Sequence, residues 1–220
     1  MGTSYSVAAL LGSEITGSDT LGAIAAVGLS IGQSFAGIPV AVLMAKRGRR
    51  IGIGTAYLVG AMGATCALFA ALTETYLLLV VGMTLCGCGQ AGNLAARYAG
   101  SDLATDRDRG RSISLVVWGN TVGSVLGPTV GLGLRSLAGT SEGGSGFIFS
   151  YMVSITLFIV ASGVILRRLR PDPLLLVANA SDTAIRGPRF SDLGLIFSHP
   201  AARIALLGMM LSQGVMGGVM

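Results

Sequence analysis

The stretch Ala41-Val-Leu-Met-Ala-Lys-Arg-Gly-Arg-Arg50 sets four cations in a short turn between two long apolar segments. Residues 21–44 before the turn and residues 51–72 after it contain no charged side chain. Each segment is long enough to cross a hydrocarbon core, which takes about 20 apolar residues in a helix. Gly48 allows the positive backbone angle that a tight turn needs. The stretch therefore predicts two transmembrane helices joined on one side of a bilayer.

Further apolar segments alternate with polar connections along the rest of the chain. The predicted spans are residues 5–16, 21–44, 51–72, 76–96, 113–134, 147–166 and 201–220. The first is too short to cross comfortably, and the last runs to the end of the chain. Hydrophobic residues make up 52% of the chain and charged residues 11%, whereas soluble domains carry roughly 25% charged residues. The composition and the pattern predict an all-α, polytopic transmembrane helix bundle.

Lysine and arginine are concentrated in alternate connections. The first and third connections contain none, and the fifth contains only Arg135. The even-numbered connections hold Lys46, Arg47, Arg49, Arg50, Arg97, Arg107, Arg109, Arg111, Arg167, Arg168, Arg170, Arg186 and Arg189, with Arg203 just beyond. Because basic residues collect in cytoplasmic loops, we predict that the even-numbered connections are cytoplasmic and that the protein spans the plasma membrane. The net charge of +5 then indicates anionic lipid, and no nucleic acid, as its partner.

The predicted spans group into a bundle, residues 1–166, followed by a long connection and one further span. The connection, residues 167–200, is basic and contains four prolines, as expected of a central cytoplasmic loop between two bundles. We expect residues 201–220 to form the first helix of a second bundle. We also expect residue 1 to fall inside the first helix of a longer protein.

Glycine accounts for 34 of the 220 residues, about twice its usual share. Small residues let helices approach closely in lipid, where the hydrophobic effect does not hold them together. Several small residues are four positions apart and share a helix face: Gly28 with Gly32, Gly60 with Ala64, and Gly119, Gly123, Gly127 and Gly131 in succession. In the last ladder Pro128 removes a backbone hydrogen bond, which predicts a bendable helix.

A few polar side chains fall within the spans and are candidates for a substrate cavity. Gln90 and Asn93 are three positions apart on one helix face, and Gln33 and Asn120 are the other candidates. Polar residues at membrane depth usually face the protein interior. A hydrogen bond between helices, of about 0.6–2 kcal/mol, is the competing interpretation for each of them.

The basic turn resembles a motif of the major facilitator superfamily, whose members carry Gly-x-x-x-Asp-Arg/Lys-x-Gly-Arg-Arg/Lys between helices two and three. The matching residues are Lys46, Gly48, Arg49 and Arg50. Ala41 and Ala45 stand where the motif has its glycine and its aspartate. In relatives that aspartate latches one state by pairing with nearby helix ends. We expect Asp102 or Asp106 to replace it here by pairing with Arg49 or Arg50.

The glycine ladder resembles a second motif, Gly-x-x-x-Gly-Pro-x-x-Gly, found on the fifth helix of members that exchange a substrate for an ion, typically exporters. Gly123, Gly127, Pro128 and Gly131 match it, and Gly119 extends it. The fourth helix of the family often carries a buried arginine linked to proton coupling. Leu85 occupies the corresponding position, so proton coupling is implied by the fifth helix alone.

The resemblance covers the whole chain and implies the six-helix N-terminal half of a 12-helix transporter. It assigns gating roles to Lys46, Gly48, Arg49, Arg50, Asp102, Gly119, Gly123, Gly127, Pro128 and Gly131. The implied mechanism is alternating access, with ion-coupled export of small amphipathic or drug-like molecules and a proton as the coupling ion. Its partner is a missing C-terminal bundle or a second copy of the chain. The alternatives are a nutrient-uptake symporter and a non-transporting half-transporter or membrane scaffold.

Other classes of function are poorly supported by the sequence. His199 is the only histidine, and the sequence contains no recognisable catalytic Ser/His motif and no phosphate-binding Gly-Lys-Ser/Thr loop. Cys86 and Cys88 project about 200° apart on a helix, so they do not chelate a metal from one face. We therefore expect no enzyme activity, no catalytic residue, no metal and no cofactor.

Overall fold

A computed structural model describes residues 2–99, 108–137, 147–170, 172, 198, 200–204, 207–208 and 211. The elements of this part of the chain are α-helices, and no strand occurs in it. In chain order they are α1 Gly2–Thr16, α2 Asp19–Arg47, α3 Arg49–Thr73, α4 Tyr76–Ala99, α5 Arg109–Leu137 and α6 Ile148–Arg168. The all-α bundle predicted from composition and patterning is confirmed.

Most of these helices extend past the predicted apolar spans into polar sequence. The helix predicted at 21–44 runs from Asp19 to Arg47, and that predicted at 113–134 runs from Arg109 to Leu137. Apolar spans mark only the part that fits the hydrocarbon core, whereas backbone hydrogen bonding continues until a residue leaves the helical conformation. Gly48, with φ +89°, is that residue between α2 and α3.

Four of the described helices, α2, α3, α4 and α6, are long and apolar enough to cross a membrane. Residues Val7–Thr16 of α1 form a shorter apolar helix, in line with the short first span in the sequence. The 29-residue α5 is not among the four. In a bilayer, helices satisfy their backbone groups internally, so this arrangement is that of an integral, multi-pass membrane protein.

Close backbone contact between α2, α3 and α4 forms the centre of the bundle. A Cβ atom placed on Gly63 of α3 would collide with the backbone at Cys86 and Gly82 of α4. One placed on Gly87 of α4 would collide with the backbone of α2 at Leu29 and Gln33. These three helices are therefore held at distances that only glycine permits, as expected where small residues replace the hydrophobic effect.

The predicted small-residue faces behave in two different ways. Gly28 and Gly32 lie against α4, Gly60 lies against Gly89, and Ala64 is fully buried. On α5, however, a Cβ atom on Gly119 or Gly123 would meet nothing within 4 Å. The expectation of tight packing therefore holds for the first two pairs but is wrong for these two glycines within the described residues. The reason is that, in the part of the chain that the structure describes, no other helix lies against these two positions of α5.

The chain divides into two compact units, Met1–Arg186 and Gly187–Met220. The division falls within the predicted loop at residues 167–200. In the second unit, residues 198, 200–204, 207–208 and 211 are described and are helical. The predicted span at 201–220 and the bounds of the loop before it stay predictions.

Candidate functional site

The turn between α2 and α3 lies at one end of the bundle, together with the last residues of α6; we call this the basic end. Lys46 and Arg47 are exposed there, whereas Arg49 and Arg50 are half-buried. Gly48 is buried, and its backbone N–H donates to the Met44 carbonyl oxygen at 2.9 Å, which closes α2. Because α3 begins at the next residue, the turn places the positive end of the α3 dipole directly beside four cations.

Asp172 supplies the carboxylate at this turn. Its Oδ1 accepts a hydrogen bond from the Arg49 backbone N–H at 3.1 Å, and its Oδ2 accepts one from the Arg50 backbone N–H at 2.8 Å. A Cβ atom on Gly48 would overlap the Asp172 carboxylate. The glycine of the turn therefore serves two purposes: it adopts a positive φ and leaves room for the carboxylate.

Arg50 makes the opposite connection, to the end of α6. Its guanidinium Nε donates to the backbone carbonyl oxygen of Leu166 at 2.7 Å. Leu166 lies in the last turn of α6, where carbonyl groups have no partner within the helix and the dipole is negative. An anion from the α6 side thus caps α3, and a cation from α3 caps α6.

The sequence had pointed to another carboxylate for this role. Asp102 and Asp106 lie outside the described residues, so their predicted pairing with Arg49 or Arg50 stays a prediction. Asp172 was missed because it is distant in sequence and belongs to no recognised motif. The available signal was its position in Arg170-Pro-Asp-Pro173, where two prolines restrict the backbone just after a helix.

The polar residues predicted to line a cavity lie on α2, α4 and α5. Asn93 Nδ2 of α4 donates to Asn120 Oδ1 of α5 at 3.0 Å, so these two side chains are brought together. Gln90, one turn earlier on α4, has a buried Oε1 with no hydrogen-bond partner among the described residues. Gln33 is half-buried on α2, and its backbone lies against Gly87 of α4. An unpaired buried amide oxygen is costly in lipid, so Gln90 is the residue of this group whose burial the described contacts do not explain.

The predicted gating residues of α5 are only partly described. The backbone of α5 is helical through Gly127, Pro128 and Gly131, but the surroundings of these three residues lie outside what the structure describes. The side chain of Trp118 on the same helix is 68% exposed and that of Val125 is 65% exposed. This exposed helix face is apolar, as required of a surface that meets lipid or another helix bundle.

Comparison with known proteins identifies the family. The sequence model of the Major Facilitator Superfamily matches residues 1–220. The chain belongs to the major facilitator superfamily. This agrees with the resemblance carried by the basic turn and the glycine ladder, and it points to a family of transporters and not to a family of enzymes.

Curated relatives are similar over most of this chain. An uncharacterized MFS-type transporter of Bacillus subtilis (strain 168), YddS, is 33% identical over 192 residues, which are 82% of this chain and 42% of the relative. A second from the same organism, YdeG, is 29% identical over 179 residues, 77% of this chain and 39% of the relative. The riboflavin transporter RfnT of Brucella anthropi is 23% identical over 214 residues, 92% of this chain and 54% of the relative.

The chain thus spans about half the length, or less, of the curated relatives it matches. No solved structure matches it. Among the described residues, no group of three or more His, Cys, Asp or Glu side chains is placed to hold a metal ion.

Proposed function

We propose that the chain is the N-terminal half of a secondary active transporter that works by alternating access. In this mechanism two bundles rock about a central site that opens to one side at a time. The observation that carries the proposal is family membership over the whole chain. The second bundle is supplied either by a longer form of the chain or by a second copy. The basic end faces the cytoplasm of a plasma-membrane protein, in keeping with the positive-inside rule.

The polar face of α4 and α5 supports a substrate site at membrane depth. Asn93 and Asn120 are hydrogen-bonded to each other between the two helices, and the Gln90 Oε1 is buried with no hydrogen-bond partner in the described part of the chain. All three side chains are uncharged amides. Amides offer both donors and acceptors but no counter-charge, so they suit a neutral or amphipathic substrate with several hydrogen-bonding groups.

Ion-coupled export of small amphipathic or drug-like molecules is our first candidate. The support is the Gly-x-x-x-Gly-Pro-x-x-Gly match on α5, which resembles the pattern of exchanging members. Transport of a neutral heteroaromatic vitamin, including nutrient uptake, is the second candidate. One relative is named a riboflavin transporter, and amide side chains supply the donors and acceptors that a neutral molecule of this kind would need. A non-transporting scaffold remains the alternative from another class.

Reconstitution of the full-length protein in liposomes tests the proposal. A pH gradient is imposed, and the flux of labelled riboflavin and of several lipophilic cations and neutral dyes is followed together with internal pH. Antiport predicts that protons leave the liposome as substrate enters it. Symport predicts that protons and substrate enter together. If no compound moved with the pH gradient in either direction, the result would favour the scaffold alternative.

Variants of the amide cluster connect any flux to this site. Asn120→Ala removes the partner of Asn93, whereas Thr121→Val is a matched control. Thr121 is the next residue on α5, exposed, and its Oγ1 donates only within its own helix, to the Val117 carbonyl oxygen. We expect Asn120→Ala to raise the KM for substrate and Thr121→Val to leave it unchanged. If the two variants changed KM equally, the substrate site would not lie at the amide cluster of α4 and α5.

A further inference from the structure

We propose that Asp172 is a positioning residue of the transport cycle: it fixes the start of the 167–200 loop on the α2–α3 turn and holds the basic ends of α3 and α6 together. The inference goes beyond the substrate site. Its consequence for transport rests on the proposed function, but the anchor itself is tested independently of any flux.

The geometry at the start of α3 is that of a two-pronged helix cap. Both oxygens of one carboxylate accept backbone N–H groups, from Arg49 at 3.1 Å and from Arg50 at 2.8 Å. The first N–H groups of a helix have no partner within the helix, and an anion beside them also interacts favourably with the dipole. A cap is normally supplied by the residue just before the helix. Here that residue is Gly48, which has no side chain to offer, and the cap comes from beyond the end of α6.

The connection is reciprocal. Asp172 follows α6 and caps α3, while Arg50 of α3 donates from Nε to the Leu166 carbonyl oxygen in the last turn of α6. Each helix end therefore receives a charge of the sign that its dipole favours. About one helical turn away, the Ser162 Oγ of α6 donates to the Gly54 carbonyl oxygen of α3 at 2.9 Å. Two cross-connections at the helix ends and one deeper in the membrane keep α3 and α6 from sliding past each other.

The position of Asp172 explains why the anchor concerns movement as well as folding. It lies four residues beyond Arg168, the last residue of α6, and so at the point where the predicted loop leaves the bundle. If a second bundle is joined through that loop, the force between the bundles passes through this residue. The hydrogen bonds from Arg49 and Arg50 fix this starting point of the loop on α3.

Hydrogen exchange of the full-length protein in lipid nanodiscs tests the anchor directly. In Asp172→Ala we expect the peptide that contains the amides of Arg49 and Arg50 to exchange about 2- to 30-fold faster, the range that loss of a helix cap produces. Asp172→Asn keeps one acceptor oxygen but loses the charge, so an intermediate rate is expected. Unchanged exchange in Asp172→Ala would overturn the cap.

A double-variant comparison at Gly48 separates the carboxylate contact from backbone strain. An alanine at Gly48 is strained by its φ of +89° and also meets Asp172, whereas Gly17 has a φ of +67° with nothing within 4 Å of its Cβ position. Gly17→Ala therefore measures strain alone. In the native background we expect Gly48→Ala to lower the unfolding temperature more than Gly17→Ala does. In the Asp172→Ala background the carboxylate is gone, so we expect Gly48→Ala and Gly17→Ala to lower it by similar amounts. If Gly48→Ala lowered the unfolding temperature by the same amount with and without Asp172, Gly48 would not be making room for the carboxylate.

Transport kinetics decide whether the anchor matters for the cycle. A positioning role predicts that Asp172→Ala lowers the turnover rate severalfold while KM for substrate stays constant, with partial rescue in Asp172→Asn. An unchanged turnover rate, with faster exchange at Arg49 and Arg50, would make Asp172 a folding element only and overturn the positioning role. If the native protein transports nothing, the proposed function fails, and the exchange measurement still decides the anchor.

Discussion

Gly32 of α2 lies directly against the backbone of Thr84 on α4, so closely that any Cβ at this position would overlap the Thr84 carbonyl group. Gly28, one turn earlier, lies over Val80, Met83 and Thr84, and a Cβ atom there would be 3.3 Å from the Thr84 Oγ1. The small-residue face of α2 formed by Gly28 and Gly32 therefore packs directly against α4. Because a closely packed interior transmits displacement, we expect α2 and α4 to move together in the proposed transport cycle.

We predict that Gly32→Ala destabilises the bundle by about 1–3 kcal/mol, the range for overpacking a tight site. The matched control is Gly37→Ala on the same helix, where a Cβ atom meets nothing within 4 Å. The measurement is the unfolding temperature in detergent. It is determined from the fraction of protein that still elutes as the folded species in size-exclusion chromatography after heating. Equal behaviour of the two variants would show that α2 and α4 separate easily at Gly32.

We predict a smaller loss of stability for Ser162→Ala on α6. The Ser162 side chain is 1% exposed, and its Oγ donates to the Gly54 carbonyl oxygen across the α3–α6 interface at 2.9 Å. Hydrogen bonds between membrane helices contribute about 0.6 kcal/mol on average. The control is Thr156→Val, since the exposed Thr156 Oγ1 donates only to the Met152 carbonyl oxygen within α6. An equal decrease in unfolding temperature for the two variants would contradict the interhelical bond.

We predict that Asn93 and Asn120 act as a pair in substrate binding. If the hydrogen bond between them at 3.0 Å orients both amides toward a ligand, either single alanine variant raises KM, and the double variant adds little to the worse single change. The measurement is the concentration dependence of initial flux for all four proteins. Effects that simply add would indicate two independent positions.

We predict that the open glycine face of α5 is needed for transport and not for folding of this bundle. Gly123→Val fills a position with nothing within 4 Å in the described residues, and Gly163→Val on α6 fills a comparable open position. If a second bundle packs against α5, Gly123→Val lowers the flux at unchanged unfolding temperature, whereas Gly163→Val affects neither. Full flux in Gly123→Val would place the second bundle elsewhere. We expect the same pattern for replacements of Gly127 and Pro128.

We predict that the basic end of the bundle faces the cytoplasm. Lys46→Cys in the α2–α3 turn and Thr75→Cys in the α3–α4 turn both introduce a thiol at an exposed position, at opposite ends of α3. In intact cells we expect a membrane-impermeant maleimide to label Thr75→Cys. We expect it to label Lys46→Cys only after the membrane is permeabilised. The native chain, with Cys66, Cys86 and Cys88, gives the background. Labelling in the opposite order would invert the topology.

Much of the bundle was predictable because its signals are local. The basic turn at Lys46–Arg50 separates two uncharged segments, and these are α2 and α3 of the structure. The pairs Gly28 with Gly32 and Gly60 with Ala64 were correctly predicted as packing faces. Gly119 and Gly123 have the same spacing but no neighbour in the described bundle. Spacing shows which residues share a face, but it does not show what lies opposite.

The amino-acid sequence by itself determined that this protein is a membrane helix bundle of a transporter family, because a bilayer admits only segments that satisfy their own backbone groups, and long uncharged runs are visible in one dimension. Only the tertiary structure decided that Asp172 caps α3, although 122 residues separate it from Arg50. The same is true of the link between Arg50 and Leu166. Such partners depend on which helix ends meet at one side of the bundle, and that is a result of packing, which no local pattern encodes.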